Sequence, residues 1–254
     1  MNIFDLTGRV AIVTGGNSGI GFGIARGLAE AGATVAIAAR NPEKTEVAVR
    51  EIVDAGGKAG AVIADVSDPE AILRMIDETK SRYGRIDILV NNAGGIVRKR
   101  PEDLTDEDWH WTMDLCLTSA FQACRAVYPE FKKNGGGKIL NNGSLAALLG
   151  APFTAAYGAA KGGMVQLTRS LAVAWAQDNI QVNCYLPGWI STGQTANLNQ
   201  DVPGMVEKIV ARCPMGRFGT GDDFKGLAVF LGGPASDFVT GTAIPIDGGF
   251  SIAG

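Results

Sequence analysis

RVAIVTGGNSGIGFGIARGLAEAG, residues 9–32, decides the fold. Its first part, RVAIVTG (9–15), is an unbroken apolar run rich in β-branched residues that stops at glycine, as a strand buried on both faces does. Its second part, GGNSGIGFGIARGLAEAG (15–32), has the Ala and Leu content of a helix and ends at Gly32. Gly15, Asn17, Ser18, Gly19, Ile20 and Gly21 make the connection. Glycines there let a backbone approach a pyrophosphate, and the start of the helix offers free N–H groups at the positive end of its dipole. A plain tight turn would also use glycine. The placement after the first strand and before the first helix favours the nucleotide reading.

Working outward, ATVAIAAR (33–40) reads as a second buried strand and PEKTEVAVREIVDAGG (42–57) as a helix with proline at its start and glycines at its end. The strand GAVIAD (60–65), the helix DPEAILRMIDETKSRYG (68–84) and the strand RIDILVNNAG (85–94) follow. Short βα units in succession predict an α/β protein: a single-domain, Rossmann-type doubly wound parallel sheet of about seven strands with helices on both faces. No linker, repeat or low-complexity tract divides residues 1–254, so one domain is expected. The second strand ends at Ala39, Arg40 and Asn41, where a dinucleotide ribose is read. Arg40 can meet a 2′-phosphate with its planar fork, and the expectation is that no carboxylate opposes it. NADP is therefore expected ahead of NAD, the alternative being an Arg40 that merely stacks on adenine.

Composition excludes several classes. The chain has 254 residues, 46% hydrophobic and 19% charged, with a formal charge of −3, which gives no electrostatic reason to bind nucleic acid or an anionic membrane. MNIFDLTGR lacks the features of a signal peptide, and the longest charge-free run, 139–160, is broken by polar residues and proline. A cytoplasmic protein is expected. Cys116, Cys124, Cys184 and Cys213 form no C-x-x-C pair, and His110 is the sole histidine. Buried free thiols and no metal site are the reading.

The chemistry lies in SLAALLGAPFTAAYGAAK (144–161). Tyr157 and Lys161 share one face of an Ala-rich helix, and Ser144 stands thirteen residues before the tyrosine, just past the β-type segment KIL (138–140). A phenol is a poor acid or base at neutral pH, and an ammonium one helical turn away favours its ionised form. A serine hydroxyl can donate to an oxygen that gains charge as hydride reaches its carbon. The set suits oxidation of an alcohol or reduction of a ketone. The bland alternative is a packed ring beside a solvated lysine.

TGGNSGIG (14–21), Asp65-Val66, NNAG (91–94), Ser144, Tyr157-x-x-x-Lys161, Pro187-Gly188 and DGG (247–249) stand in the order and spacing of the short-chain dehydrogenase/reductases, and the chain resembles that family over essentially its whole length. Its look is nearest to gluconate and glucose dehydrogenase-like members. The resemblance implies that Asp65 and Val66 contact adenine, that Asn91, Asn92, Ala93 and Gly94 line the cofactor cleft beside Pro187 and Gly188, and that Ile190 and Thr192 hold the nicotinamide amide. It implies Tyr157 as general acid/base, Lys161 on the nicotinamide ribose, Ser144 on the substrate oxygen, and a homotetramer. One position departs from the family pattern: Cys116 stands in Asp114-Leu115-Cys116-Leu117 where an asparagine is usual. The family asparagine helps hold a helix distortion and a water, and a thiol replaces an amide poorly. The favoured outcome is that a backbone carbonyl keeps the water; slowed turnover and a degenerate site are the alternatives.

Residues 105–132 read mostly as one long helix with Trp109, Met113, Leu117 and Phe121 on a stripe for core or subunit packing, and 160–176 as a second. WISTGQTANLNQDVPGMVEKIVARCP (189–214) reads as a mobile lid followed by a short helix. Arg98, Lys99 and Arg100 could hold a substrate carboxylate or be a solvated basic loop. The expected function is NAD(P)(H)-dependent interconversion of a secondary alcohol and a ketone on a small polar carbonyl, polyol or sugar acid. A 3-oxoacyl thioester or simple ketone reductase, and a cofactor-binding scaffold with impaired turnover, are the competing readings.

Overall fold

The structure, a computed structural model, describes residues 2–253. Among them the strands are β1 (Val10–Thr14), β2 (Thr34–Ala39), β3 (Lys58–Ile63), β4 (Ile88–Asn91), β5 (Gly137–Asn142), β6 (Ile180–Pro187) and β7 (Ala243–Ile246). They form one sheet in the order β3-β2-β1-β4-β5-β6-β7, and every neighbouring pair is parallel. The central strands are sealed on both sides because their residues alternate between two cores. Ile12 packs with Val62, Ile72 and Phe131 on one face, while Ala11 and Val13 pack with Ile24, Leu28 and Leu231 on the other. Each fully buried aliphatic side chain of this kind contributes roughly 1.5–3 kcal/mol.

The helices are α1 (Gly19–Glu30), α2 (Pro42–Asp54), α3 (Pro69–Tyr83), α4 (Asp106–Met113), α5 (Ser119–Lys133), α6 (Ala155–Trp175), α7 (Leu198–Asp201), α8 (Met205–Arg212) and α9 (Lys225–Gly232). Buried residues of α1, α2 and α9 fill one face of the sheet; those of α3, α5 and α6 fill the other. Caps set the starts. Asn41 accepts from Lys44 N at α2, Asp68 accepts from Glu70 N at α3, and Thr105 and Asp108 form a reciprocal capping box at α4.

Two expectations are revised here. The edge strand β3 runs from Lys58 to Ile63 rather than over 60–65, since an edge strand needs no apolar start. The long helix expected over 105–132 is broken by a five-residue π-turn, Asp114–Thr118, between α4 and α5. Ser119 Oγ donates to Leu115 O at 2.8 Å, and the Cys116 thiol donates out of the helix to Gly95 O at 3.2 Å. On the expected stripe Trp109 and Phe121 are exposed, at 40% and 41%, while Met113 and Leu117 are half-buried and Leu117 packs against the core, so only part of the stripe faces inward. The chain order reverses between β1 and β4, which opens a crevice at the carboxyl ends of these strands.

Candidate active site

A cleft of about 600 Å³ occupies that crevice. Gly15, Asn17, Ser18, Gly19, Ile20 and Gly21 form its floor after β1; Arg40, Asn41, Asp65 and Val66 line it after β2 and β3. Asn92, Ala93 and Gly94 border it after β4, with Ser144, Tyr157 and Lys161 after β5, and Pro187, Gly188, Ile190 and Thr192 after β6. Apart from Asn91, the residues expected to hold a cofactor or catalyse therefore line one cavity, although they follow six different strands.

The floor is built for an anion. Gly15 and Gly19 sit at φ +62° and +54°, which side chains rarely adopt, and a Cβ on Gly21 would fall 2.4 Å from both Gly15 O and Asn92 Nδ2. Asn92 explains the close packing: its amide donates to Thr14 O at 3.0 Å and to Gly15 O at 3.3 Å. Helices α2, α3 and α4 spend a side-chain cap and first-turn acids on their amino ends. The first turn of α1 has neither, since Ser18 makes no capping bond and no acidic residue follows it. Its N–H groups stay open to a phosphate. On these observations the residues fit a dinucleotide.

Tyr157 lies in the first turn of α6 with Lys161 one turn on. The ammonium of Lys161, 2% exposed, donates to Asn142 O at 2.6 Å and stands 5.5 Å from the Tyr157 ring centre. Ser144 is half-buried, and its oxygen accepts from Ala146 N at 3.1 Å, which leaves the hydroxyl hydrogen to be given into the cleft. Of the thiols, burial pushes Cys124 up to about 12 and Cys184 up to about 11, and all four cysteines are free and buried. Among the described residues no three His, Cys, Asp or Glu side chains gather as a metal set.

The structure corrects two details. Asn91 does not line the cleft: it is 5% exposed, and its amide donates to Asn141 Oδ1 at 2.8 Å and Cys124 Sγ at 3.2 Å. Arg40 is not free of carboxylates, because Asp65 from the end of the next strand approaches it at 3.6 Å. Burial raises the Asp65 carboxyl, but bonds from Ser67 and the charge of Arg40 outweigh this and hold it below the usual value. Among the lining residues that escaped the sequence reading are Lys44, Asn142 and Gln194. Lys44 follows Asn41 by three residues in the first turn of α2, a spacing that could have signalled it. Gln194 Nε2 reaches across the cleft to Gly94 O at 3.3 Å, a partner one hundred residues away with no local signature. It belongs to the segment expected as a lid, whose base is tied by Thr195 Oγ1 to Ile190 O at 2.7 Å.

Residues 15–251 match the family profile described as Enoyl-(Acyl carrier protein) reductase. A 2-dehydro-3-deoxy-D-gluconate 5-dehydrogenase from Bacillus subtilis is 40% identical over 248 residues, covering 97% of this chain and 96% of that protein. Its namesake from Dickeya dadantii is 37% identical over 252 residues, 98% of each. The crystal structure of a gluconate 5-dehydrogenase from Burkholderia cenocepacia, in complex with NADP and tartrate, matches with a TM-score of 0.94 at 39% identity over 100% of this chain and 99% of that one. Profile, sequence and fold agree over nearly every residue, and the chain belongs to the short-chain dehydrogenase/reductase family.

Proposed function

We propose that this protein is an NADP(H)-dependent oxidoreductase that interconverts a secondary alcohol and a ketone on a small hydroxy or keto acid of the sugar-acid type. The observation that carries the reaction is the meeting of Ser144, Tyr157 and Lys161 in the cleft floored by the open amides of α1. A dinucleotide held by these residues would supply or accept the hydride when bound. Ser144 gives its free hydroxyl hydrogen to the substrate oxygen and so orients it. The Tyr157 hydroxyl passes a proton to that oxygen in reduction and takes one in oxidation. The buried ammonium of Lys161 stabilises negative charge on the tyrosine oxygen, and its lack of a carboxylate partner among the described residues keeps its field undiminished.

Arg40 and Lys44 support the preference for NADP. Both are exposed in the cleft wall, and the ion pair of Arg40 with Asp65 is long and solvated, so a 2′-phosphate can compete for the guanidinium. The acidic substrate is supported by the basic segment after β4. Lys99 pairs with Asp108 at 2.5 Å and Arg100 pairs with Glu102, whereas Arg98 is exposed with no ion pair among the described residues. Two similar proteins carry gluconate derivatives in their names, and the structural neighbour holds tartrate, also a hydroxy acid.

The test is a panel of neutral ketones, 3-oxoacyl thioesters and keto acids with NADPH and NADH. Keto acids should give the highest kcat/KM, and Arg98→Ala should raise their KM about tenfold or more while sparing neutral ketones. A thioester preference untouched by Arg98→Ala would replace the proposed substrate. The same proposal takes residues 1–254 as one domain of a cytoplasmic homotetramer. Exposed apolar side chains on α4 to α6 (Trp109, Phe121, Val173) and near the end of the chain (Phe238, Ile252) support the assembly. No helix among the described residues is long and apolar enough to cross a membrane.

A further inference from the structure

Beneath the cleft, between the π-turn and the ends of β4 and β5, lies a second cavity of about 10 Å³. That is room for one water. Asn142, Cys116, Ser119 and Asn91 contribute its polar wall. The amide of Asn142 has a forced orientation. Its Nδ2 faces two acceptors, Asn92 O at 3.3 Å and Asn92 Oδ1 at 3.2 Å, so its Oδ1 must point the other way. That oxygen is fully buried, and no donor reaches it among the described residues. An amide oxygen left so is costly, roughly 1–3 kcal/mol, and a native structure satisfies it. The Cys116 hydrogen is already given to Gly95 O and that of Ser119 to Leu115 O, so neither serves it. Both still offer lone pairs to the cavity.

We infer that this cavity is a water site, in which one buried water donates to Asn142 Oδ1 and to Ser119 Oγ, and that Asn142 is a positioning residue for Lys161. The second half rests on the proposed role of Lys161; the first does not. Asn142 presents three groups in three directions. Its backbone carbonyl takes the hydrogen of Lys161 Nζ, its Nδ2 is anchored on Asn92, and its Oδ1 is anchored on the water. Asn92 is fixed in turn to Thr14 O and Gly15 O and receives the Tyr185 hydroxyl at 3.3 Å. The peptide that holds the lysine is thus braced against the glycine turn on one side and the π-turn on the other. Cys116 enters the same arrangement from the opposite wall. A Cβ on Gly94 would meet its sulfur at 3.5 Å and Lys161 Nζ at 3.8 Å, which puts thiol and ammonium beside one glycine.

A crystal structure of the protein at about 1.5 Å tests the water directly. A peak within hydrogen-bond distance of Asn142 Oδ1 is expected; an Oδ1 satisfied by any protein donor, or a dry cavity, overturns the site. The positioning role is tested by Asn142→Leu, which should lower kcat at least tenfold with the substrate KM and the melting temperature little changed. An amide supplied from the other wall, Cys116→Asn, should recover much of that loss in the Asn142→Leu background and add little to the native protein. Equal kcat in Asn142→Leu overturns the role, as does a fall that Cys116→Asn leaves untouched. If Asn142→Leu fails to fold, the same comparison with Asn142→Ser decides. NADPH binding followed by nucleotide fluorescence separates failure of this inference from failure of the functional proposal: a protein that binds no cofactor refutes the latter.

Discussion

In its proposed role, Arg40 would carry a cofactor preference without being committed to it. It sits at the end of β2, half shared with Asp65 at 3.6 Å, and its guanidinium remains largely in solvent. A 2′-phosphate brings two negative charges and accepts the guanidinium fork through charge-assisted bonds, each worth roughly 1.5–3 kcal/mol. Arg40→Ala should therefore raise the Kd for NADPH about 10- to 100-fold and leave that for NADH within about threefold. Fluorescence titration checks both, and equal losses would assign Arg40 to the adenine rather than to the phosphate. At this scale the sequence was informative where chemistry follows from residue type and local spacing, as for Gly15 to Gly21, Ser144, Tyr157 and Lys161. It was silent where the partner is remote. Asp65 reaches Arg40, Asn142 reaches Asn92 and Gln194 reaches Gly94 only because the sheet brings separate strand ends together.

Among the elements, the segment from Arg217 to Phe224 places α9 against α1. Asp223 accepts from Arg217 at 2.7 and 2.8 Å and from Thr220 N at 2.7 Å, so the Arg217 bond first and the Thr220 amide second hold its carboxyl well below the ordinary value of 3.8. A carboxyl lowered on folding stabilises the protein above its unfolded value and loses that contribution as the pH falls through the folded one. Asp223→Asn should cost about 1 kcal/mol at pH 7, and the gap from the native protein should narrow as pH drops below about 4. Urea melts at pH 7 and pH 3 read this out; a gap that widens in acid would contradict it. The strands β1 and β2 were legible because they are buried on both faces and read as apolar runs. The π-turn was not, because its cause is tertiary: Cys116 bonds Gly95, and Leu117 packs where a Cβ on Gly163 would stand 2.8 Å away.

Across the whole molecule, the surface is uneven. Val173, Phe238 and Ile252 expose 83%, 105% and 88% of their area. The proposed tetramer would cover these side chains, so Val173→Glu should shift the mass measured by light scattering from four subunits toward two or one. An unchanged tetramer would move the interface elsewhere. Because neighbouring strands are all parallel, the loops that line the cleft leave the carboxyl ends of the strands on one side, so the fold delivers residues from Gly15 to Thr192 into one cleft.

The central claim is that the Tyr157 hydroxyl exchanges a proton with the substrate oxygen under the field of Lys161. Tyr157→Phe, assayed at saturating NADPH and keto acid, measures it most directly. The account predicts a fall in kcat of about 100- to 10,000-fold with the melting temperature and NADPH affinity little changed. A variant that turns over at the native rate would contradict it.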